Sequence, residues 1–212
     1  MSIHLNIQAE IIDISSDTPS QDDIFLVDTN VWIWQTYTNA NASSHYAINK
    51  IKAYTPYLTH ARRNGSTLAY SSLILAELAH VIEKTERQIY NQRTGNSLSA
   101  KEYRHNCPEE REHVVEEVKS AWRTIENLAI PINLKMDDST PKAILERFQT
   151  QALDGYDLLM LEAISQEEVG TIKMITDDMD YAVVPGIQVF TNNGAVIRQA
   201  KEQDTLLVRS AG

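Results

Sequence analysis

Carboxylate side chains follow two short apolar runs of the sequence at the point where each run ends. Asp28 comes directly after Ile24–Val27, and Asp177, Asp178 and Asp180 come soon after Ile172–Ile175. Continuous apolar runs of this length are typical of central parallel strands that are covered on both faces. Because the carboxyl ends of such strands line the ligand crevice of an open sheet, acids at these points are well placed for chemistry.

Two further acids lie in predicted helices. Glu77 interrupts the otherwise apolar stretch 73–79, where a buried carboxylate is unfavourable unless it is paired, protonated or metal-bound. Asp157 lies three residues after Asp154, a predicted helix N-cap, and therefore falls in the first turn of its helix. Structural alternatives exist for each acid: a cap for Asp28, a surface or salt-bridged position for Glu77, and a helix-dipole contact for Asp157. The cluster of Asp177, Asp178 and Asp180 can equally be an ordinary acid-rich turn.

Together these acids predict a metal site. Like charges brought to one edge of a sheet repel each other, and a hard divalent cation removes that penalty. Oxygen ligands without a Cys or His set suit Mg²⁺ or Mn²⁺, which activate water and neutralise charge on a phosphoryl group. The single cysteine, Cys107, lies in a polar stretch without zinc-type spacing, so neither a zinc site nor an internal disulfide is expected.

The elements that must position these acids alternate between strands and helices. Further apolar runs predict strands at Thr67–Tyr70, at Ile187–Phe190 and at Leu128–Ile132, where Pro131 favours an edge position. Helices are predicted in the stretches 71–82, 108–127, 139–148 and 156–165. This alternation predicts an α/β fold, a three-layer α/β/α sandwich with a mostly parallel central sheet.

The 212 residues are expected to form one main domain with additions. Residues 24–195 are predicted to be that domain, with 1–23 as an N-terminal extension and 196–212 as a C-terminal tail. Alternating apolar residues indicate a short accessory strand within 3–7. The polar stretch 84–111 predicts a helical insertion, whose function is not evident from the sequence.

The composition is that of a globular protein, with 42% apolar and 23% charged residues. The formal net charge of −10 is unfavourable for phosphate contacts. Three explanations stay open: solubility, an acidic surface for a basic partner, or a metal site whose cation reverses the local charge. Neither a signal-like start nor an apolar run of membrane length is present, so we expect a cytoplasmic location and no membrane partner.

Four segments resemble, in order, the sequence motifs of PIN domains. Val27–Val31 resembles the opening motif, and Ser71–Leu78 resembles the second, whose helical Glu binds metal. Tyr156–Ala163 is similar to the third motif and Thr176–Tyr181 to the last. The resemblance spans ~24 to 192.

The resemblance implies a PIN-like fold and a role for each matched residue. The implied catalytic acids, which also bind metal, are Asp28, Glu77, Asp157 and Asp178, with Asp180 as a further metal ligand. The residues implied to support these ligands or to contact phosphate are Thr29, Asn30 and Thr176. Asp177 departs from the pattern, because a basic residue is often found there.

The resemblance further implies a metal-dependent ribonuclease, in many members the VapC-like toxin of a bacterial toxin–antitoxin pair. One or two Mg²⁺ or Mn²⁺ ions would be bound, a water would attack phosphorus in line, and a 3′-hydroxyl would leave. The implied partners are an RNA substrate, an antitoxin protein and a second copy in a homodimer.

Several side chains are candidates for RNA contacts, although surface charge or core packing is the commoner role for each type. Trp32 and Trp34 follow Asp28 by about one helical turn and are candidates for stacking on bases. The basic candidates are Arg62, Arg63, Arg87, Arg93, Lys101 and Arg104.

Other functions are weighed against this one. A haloacid-dehalogenase-like phosphotransfer enzyme would use Asp28 as nucleophile, but it needs a second acid two residues later, where this chain has Asn30. A non-catalytic PIN-like scaffold would have lost one of the four carboxylates, and all four are present. The same metal chemistry cuts DNA, so the residues alone leave the choice of nucleic acid open.

Overall fold

The computed structural model describes residues 3–40, 45–134, 136–165 and 170–209. Within these ranges the chain forms a six-stranded sheet in the order β1-β6-β5-β2-β3-β4. Neighbouring strands pair in parallel throughout. All strands therefore end at one edge, called here the carboxyl edge, and begin at the opposite, amino edge. The strands are β1 Glu10–Asp13, β2 Ile24–Val27, β3 Thr67–Tyr70, β4 Ile130–Pro131, β5 Ile172–Ile175 and β6 Ile187–Thr191.

Helices cover both faces of this sheet. In the described ranges they are α1 Thr29–Thr36, α2 His45–Arg63, α3 Ile74–Thr94, α4 Ala100–Asn106, α5 Pro108–Leu128, α6 Thr140–Thr150, α7 Gly155–Ser165 and α8 Gly194–Glu202, with a 3₁₀ helix at Asp180–Val183. On one face α1 contacts α2, α3 and α5. Phe25 of β2 packs there on Tyr57 of α2, with ring centroids 6.1 Å apart.

On the other face α6 contacts α7. Ile164 of α7 and Leu26 of β2 line one cavity of about 360 Å³ on that side. Because successive side chains of a strand point to opposite faces, Phe25 and Leu26 serve different helical layers. The predicted three-layer α/β/α sandwich is confirmed, and its sheet is parallel in all described strands.

The centre of the sheet positions the acids. Val27 at the end of β2 pairs with Ile175 at the end of β5, and both side chains are buried. The backbone N–H of Asp28 donates to the carbonyl of Ile175 at 3.1 Å, which extends the pairing by one residue. The two strands therefore end side by side, and the residues that follow them, Asp28 and Thr176, become neighbours.

The terminal segments belong to the same sheet and core. The accessory strand lies at Glu10–Asp13 rather than within 3–7, and it pairs with β6. Ile11 and Ile12 are both buried, because α8 packs on β1 and Leu206 bridges to Ile11. Residues 1, 2 and 210–212 of the predicted terminal segments lie outside the described residues.

The stretch 84–111 is helical, as predicted, except at two short connections. Helix α3 continues to Thr94 and ends at Gly95, whose φ of 71° suits a residue without a side chain. Helix α4 begins at a capping box, in which Ser99 and Glu102 satisfy each other's backbone N–H groups. Pro108 then occupies the first turn of α5.

Helix α2 was not predicted. Its sequence contains Pro56 and many polar residues, which obscure apolar positions at helical spacing such as Ala47, Tyr54, Leu58 and Ala61. Tertiary contacts compensate, since Tyr54, Tyr57 and Leu58 are buried against the sheet. None of the helices in the described ranges combines the length and apolar character that crossing a membrane requires.

Candidate functional site

Asp28 is at once the N-cap of α1 and a buried acid at the carboxyl edge. Its side chain is surrounded by donors, and the residue is only 6% exposed. Its Oδ1 accepts from the backbone N–H of Thr29, the first residue of the helix that it caps, at 2.7 Å. Its Oδ2 accepts from Asn30 Nδ2 at 2.7 Å and from Thr176 Oγ1 at 2.6 Å. The structural and the functional interpretations of Asp28 are therefore compatible.

Glu77 reaches the same place from the first turn of α3. The hydroxyl of Thr29 donates to Glu77 Oε2 at 2.5 Å, which links α3 to the start of α1. The sequence predicted a helix that is buried all round, but Leu75 and Ala76 are exposed and Glu77 is half-buried. Glu77 is thus a rim residue whose carboxylate turns toward Asp28, not a charge enclosed in the core.

Asp157 lies in the first turn of α7, next to its predicted cap. Asp154 Oδ1 accepts from the backbone N–H groups of Tyr156 at 2.9 Å and Asp157 at 3.0 Å, which confirms Asp154 as the cap. The buried hydroxyl of Tyr181 donates to Asp157 Oδ1 at 2.7 Å. The hydroxyl of Tyr156 donates to the carbonyl of Leu73, which ties the start of α7 to the start of α3.

Asp178 and Asp180 follow β5 in a tight turn. The backbone N–H of Asp178 donates to Thr176 Oγ1 at 2.9 Å, and that of Asp180 donates to Asp178 Oδ1 at 2.9 Å. The hydroxyl of Thr176 therefore connects Asp28 with the backbone of Asp178. Thr29, Asn30 and Thr176 all hold carboxylates of the acidic set, where the resemblance had implied a supporting role.

Asp177 turns away from these acids and is neutralised. It is buried, its Oδ1 accepts from Lys50 Nζ at 2.6 Å and from Tyr54 OH at 2.9 Å, and Tyr46 OH donates to Oδ2. Lys50 also donates to the carbonyl of Asn192 at 3.0 Å. Sequence reasoning missed these partners because all three come from α2, a helix it did not predict. The basic residue missing from the chain position of Asp177 is thus supplied from another helix.

Glu77 and Asp157 lie within electrostatic range of Asp28. Burial raises the pKa of Asp28 to about 7; the hydrogen bond from Thr176 opposes this shift, while the charges of Glu77 and Asp157 add to it. Within the described part of the chain, none of the residues Asp28, Glu77, Asp157 and Asp178 forms a salt bridge. Like charges are therefore brought together here without a protein cation.

Asp157 behaves in the same way. Burial raises its pKa to about 7, the hydrogen bond from Tyr181 opposes this, and the charges of Asp154, Asp178 and Glu77 contribute further increases. A carboxyl group with such a pKa exchanges its proton near neutral pH, and a cation competes with that proton for the same oxygens.

The donor atoms fit a hydrated magnesium-type ion better than a fully dehydrated one. Among the described residues, no three His, Cys, Asp or Glu side chains are arranged so that they could hold a metal ion. Mg²⁺ usually keeps several waters and binds through one or two carboxylates together with substrate phosphates. Asn30 Oδ1 is buried beside Asp28 without a hydrogen-bond partner in the described structure, so one oxygen acceptor is left over at this point.

The basic candidates do not gather around the acids. Arg62 and Arg63 lie in the last turn of α2, just before β3 begins, and hence at the amino edge. Arg104 pairs with Glu83, and Arg93 with Glu110, inside the α3–α5 region. The remaining two are Arg87, which donates to the carbonyl of Leu98, and Lys101, which is exposed on α4.

The two tryptophans differ in exposure. Trp32 is fully buried, so it cannot stack on a base. Trp34 is half-buried and contacts the rings of Tyr46 and Tyr54, with centroids 6.5 Å and 5.3 Å apart. Only Trp34 of the two is therefore available at the surface beside the acids.

Comparisons with known proteins add a weak structural match to these observations. The scan against protein-family models finds no match, and the comparison with curated proteins finds none either. One solved structure that the chain matches weakly is VapBC2 from Rickettsia felis bound to a DNA fragment from their promoter, at a TM-score of 0.43 and 15% sequence identity. The match covers 79% of this chain and 98% of that chain. Likeness at this level identifies no family, and inferences about activity rest on the residues described above.

Proposed function

We propose that the protein is a divalent-metal-dependent endoribonuclease that hydrolyses RNA phosphodiester bonds at the carboxyl edge. The acids that carry the reaction in this proposal are Asp28, Glu77, Asp157 and Asp178. The supporting observation is that hydrogen bonds through Thr29 and Thr176 link Asp28 to Glu77 and to the backbone of Asp178. The charge of Glu77 also contributes to the raised pKa of both Asp28 and Asp157. An uncompensated group of acids is what a cation site requires before the cation arrives.

The residues of the chain have separate tasks in this proposal. A bound Mg²⁺ or Mn²⁺ ion supplies an activated water and neutralises charge on the phosphoryl group. Asp28 and Asp157 provide ligand oxygens and release their protons as the cation binds. Thr29, Asn30 and Thr176 fix the carboxylates of Asp28 and Glu77 through the hydrogen bonds described above.

Asp178 and Asp180 complete the acidic set. Burial raises the pKa of Asp180, and the charges of Asp178 and Asp154 raise it further, so Asp180 belongs to the same electrostatic group. We propose Asp180 as an additional metal ligand, directly or through a water. RNA as the substrate, a toxin role, an antitoxin partner and a homodimer are supported by the four ordered PIN-like motifs.

The direct test is cleavage of a single-stranded RNA oligonucleotide by purified protein. We expect cleavage with Mn²⁺ or Mg²⁺ and none with a chelator, with products that carry a 3′-hydroxyl. Asp157→Asn and Glu77→Gln should each lose activity, whereas Glu112→Gln, at an exposed acid of α5, should retain it. Full activity in both site variants, or cleavage that resists the chelator, would reject the proposal. A DNA oligonucleotide of matched sequence that is cut as fast would reassign the substrate.

The toxin role has its own test. Induced expression of the wild-type protein in a bacterial host should arrest growth, and expression of Asp157→Asn at the same level should not. Coexpression of the neighbouring reading frame should relieve the arrest if that frame encodes an antitoxin. Normal growth with the active wild-type enzyme would contradict the toxin role and leave the nuclease proposal standing.

A further inference from the structure

Tyr46, in the first turn of α2, presents an exposed aromatic ring beside the acidic set. The residue is 57% exposed, although its hydroxyl group is engaged and donates to Asp177 Oδ2. The exposed part is therefore the ring, because the polar tip points inward. An exposed large aromatic ring with an inward hydroxyl is unusual, since tyrosine at a surface normally keeps its polar tip in water.

The ring is held in place from two further sides. Lys50 Nζ lies 5.2 Å from the ring centroid, which is a cation–π contact. The ring of Trp34 meets Tyr46 at an interplanar angle of 70°, and Trp34 itself rests on the buried Tyr54. Lys50 in turn is fixed by its ion pair with Asp177. Tyr46 is thus a preorganised surface ring rather than a mobile one.

The position of this ring relative to the acids is set by the chain. Asp177, which accepts the hydroxyl of Tyr46, is the residue directly before Asp178. Trp34 lies on α1, the helix that Asp28 caps. Burial of the hydroxyl raises the pKa of Tyr46, as do its bond to Asp177, the charge of Asp177 and the charge of Asp178, so the acidic set is within electrostatic range.

We propose that the exposed ring of Tyr46, together with the half-buried Trp34, is a stacking platform for one unpaired nucleobase next to the cleaved phosphodiester. This inference rests on the proposed nuclease function and deepens it. Base–aromatic stacking tolerates any base, because every base has a π-face. The platform would therefore select single-stranded RNA next to the cut without fixing its sequence.

A stacking platform also accounts for the charge of the protein. With a net charge of −10, and with the basic candidates at the amino edge or inside the α3–α5 region, phosphate contacts are poorly supported near the acids. Stacking holds a nucleotide without a basic groove and is insensitive to the sign of the surface. The affinity for substrate should accordingly fall only weakly as salt is raised.

The alternative role for Tyr46 is structural, as a support for Asp177. Two substitutions separate the roles. Tyr46→Phe removes the hydroxyl bond to Asp177 and keeps the ring, whereas Tyr46→Leu removes the ring as well. Phe148→Leu is a matched control, because Phe148 is 60% exposed on α6 and far from α2 in the fold.

The experiment measures kcat and KM for cleavage of a single-stranded RNA oligonucleotide with Mn²⁺. Tyr46→Leu should raise KM by about 5- to 150-fold, the range expected for the loss of one base–aromatic stack. Phe148→Leu should keep KM near the wild-type value, and Tyr46→Phe, which keeps the ring, should raise KM far less than Tyr46→Leu does. The same assays with an abasic residue at each position near the cut complete a double-mutant cycle. At the stacked position, removal of the base should raise KM for the wild type and should add nothing in Tyr46→Leu.

The other results are each decisive. Wild-type KM in Tyr46→Leu, or independent effects of the abasic residue and the substitution at every position, would overturn the platform while leaving the nuclease intact. Equal losses in Tyr46→Phe and Tyr46→Leu would show that Tyr46 only supports Asp177, which also overturns it. Absence of cleavage by the wild type with any divalent metal would reject both the proposed function and the platform.

Discussion

The two ends of strand β2 carry the same residue type in opposite electrostatic states. Asp23 precedes the strand and Asp28 follows it, and they are 1% and 6% exposed. Arg209 donates to both oxygens of Asp23 at 2.9 Å, and Lys173 donates to Oδ1 at 2.5 Å. Burial alone would raise the pKa of Asp23, but the hydrogen bonds from Lys173, the backbone of Ser20 and Arg209 outweigh it, so the pKa is lowered.

At Asp28 burial and neighbouring charges outweigh the hydrogen bonds, so the pKa is raised. Its donors are a backbone N–H, an amide and a hydroxyl, none of which carries a charge, and its charged neighbours are Glu77 and Asp157. The chain thus neutralises a buried acid at the amino edge, where one is needed for structure. It leaves the equivalent acid at the carboxyl edge without a counter-ion among the described residues. That difference separates a structural carboxylate from one that is free to meet a ligand.

The largest difference between the Asp28→Asn and Asp23→Asn variants should be in catalytic activity. Metal-assisted water activation supplies several kcal/mol of transition-state stabilisation, so Asp28→Asn should lower kcat/KM for RNA by about 10³-fold or more. Asp23→Asn, assayed at a temperature where it remains folded, should keep the wild-type turnover per folded molecule. Comparable losses in the two variants, with both folded by circular dichroism, would show that the two ends of β2 are not functionally distinct.

The order of the two variants should be reversed for stability, because Asp23→Asn should be the one that destabilises the fold. Asp23→Asn leaves Arg209 and Lys173 without their shared partner and should lower the free energy of unfolding by about 3–5 kcal/mol, measured in urea at pH 7. Because the pKa of Asp23 is lowered in the fold, its contribution is present above the ordinary value of 3.8 and is lost as pH falls through the folded value. The difference between wild type and variant should therefore narrow as the solution is acidified below 3.8. A difference that stays constant with pH would contradict the ion-pair explanation.

The sequence predicted the carboxyl edge better than the amino edge, for a physical reason. An acid directly after an apolar run is a local signal, and in a parallel sheet neighbouring strands bring such acids together automatically. Asp28 and Thr176 are placed in this way by the pairing of β2 with β5. The partner of Asp23 has no local signal, because Arg209 lies 186 residues away and approaches only once the sheet has formed.

The same distinction applies within the candidate site. Asp177 and Asp178 are adjacent residues of one type, yet Asp177 is buried against Lys50, 127 residues away, and Asp178 faces the acids. The missing prediction of α2 also hid Tyr46 and Tyr54. The apolar residues of α2 recur at helical spacing, at Ala47, Tyr54, Leu58 and Ala61, but Pro56 and the polar residues between them concealed this pattern.

Removal of the unneutralised charge should stabilise the metal-free protein. The pKa of Asp28 is raised from 3.8 to about 7, so between these values the folded state binds the proton more tightly and loses stability as pH rises. Asp28→Asn should therefore unfold with a free energy about 1–3 kcal/mol higher than the wild type at pH 8. A tenfold change in proton affinity corresponds to about 1.4 kcal/mol, and part of the gain is lost to rearranged hydrogen bonds. The buried amide oxygen of Asn30 can accept from the new amide if the Asn30 side chain rotates by half a turn.

The control for this prediction is acidic solution. At a pH below 3.8 the carboxyl group is protonated in the folded and the unfolded state, so the advantage of Asp28→Asn should vanish. Urea unfolding at several pH values with chelator present measures the difference. A variant that is less stable than the wild type at pH 8 would mean that the hydrogen bonds to Asp28 outweigh the repulsion, and the charge at the carboxyl edge would then be compensated after all.

The smallest expected effect is the stabilisation by Mn²⁺. It tests whether a bound cation neutralises Asp28 as Arg209 neutralises Asp23. A ligand that binds only the folded state stabilises it by about 1.4 kcal/mol at ten times its dissociation constant. Mn²⁺ should therefore raise the unfolding free energy of the wild type and of Asp23→Asn by the same amount, because the amino edge is complete without it. Asp28→Asn should show no such increase, since it lacks both the ligand and the repulsion that the cation relieves. Equal stabilisation of all three proteins by Mn²⁺ in urea titrations would mean that the ion binds at another site. Asp28 would then not be a metal ligand.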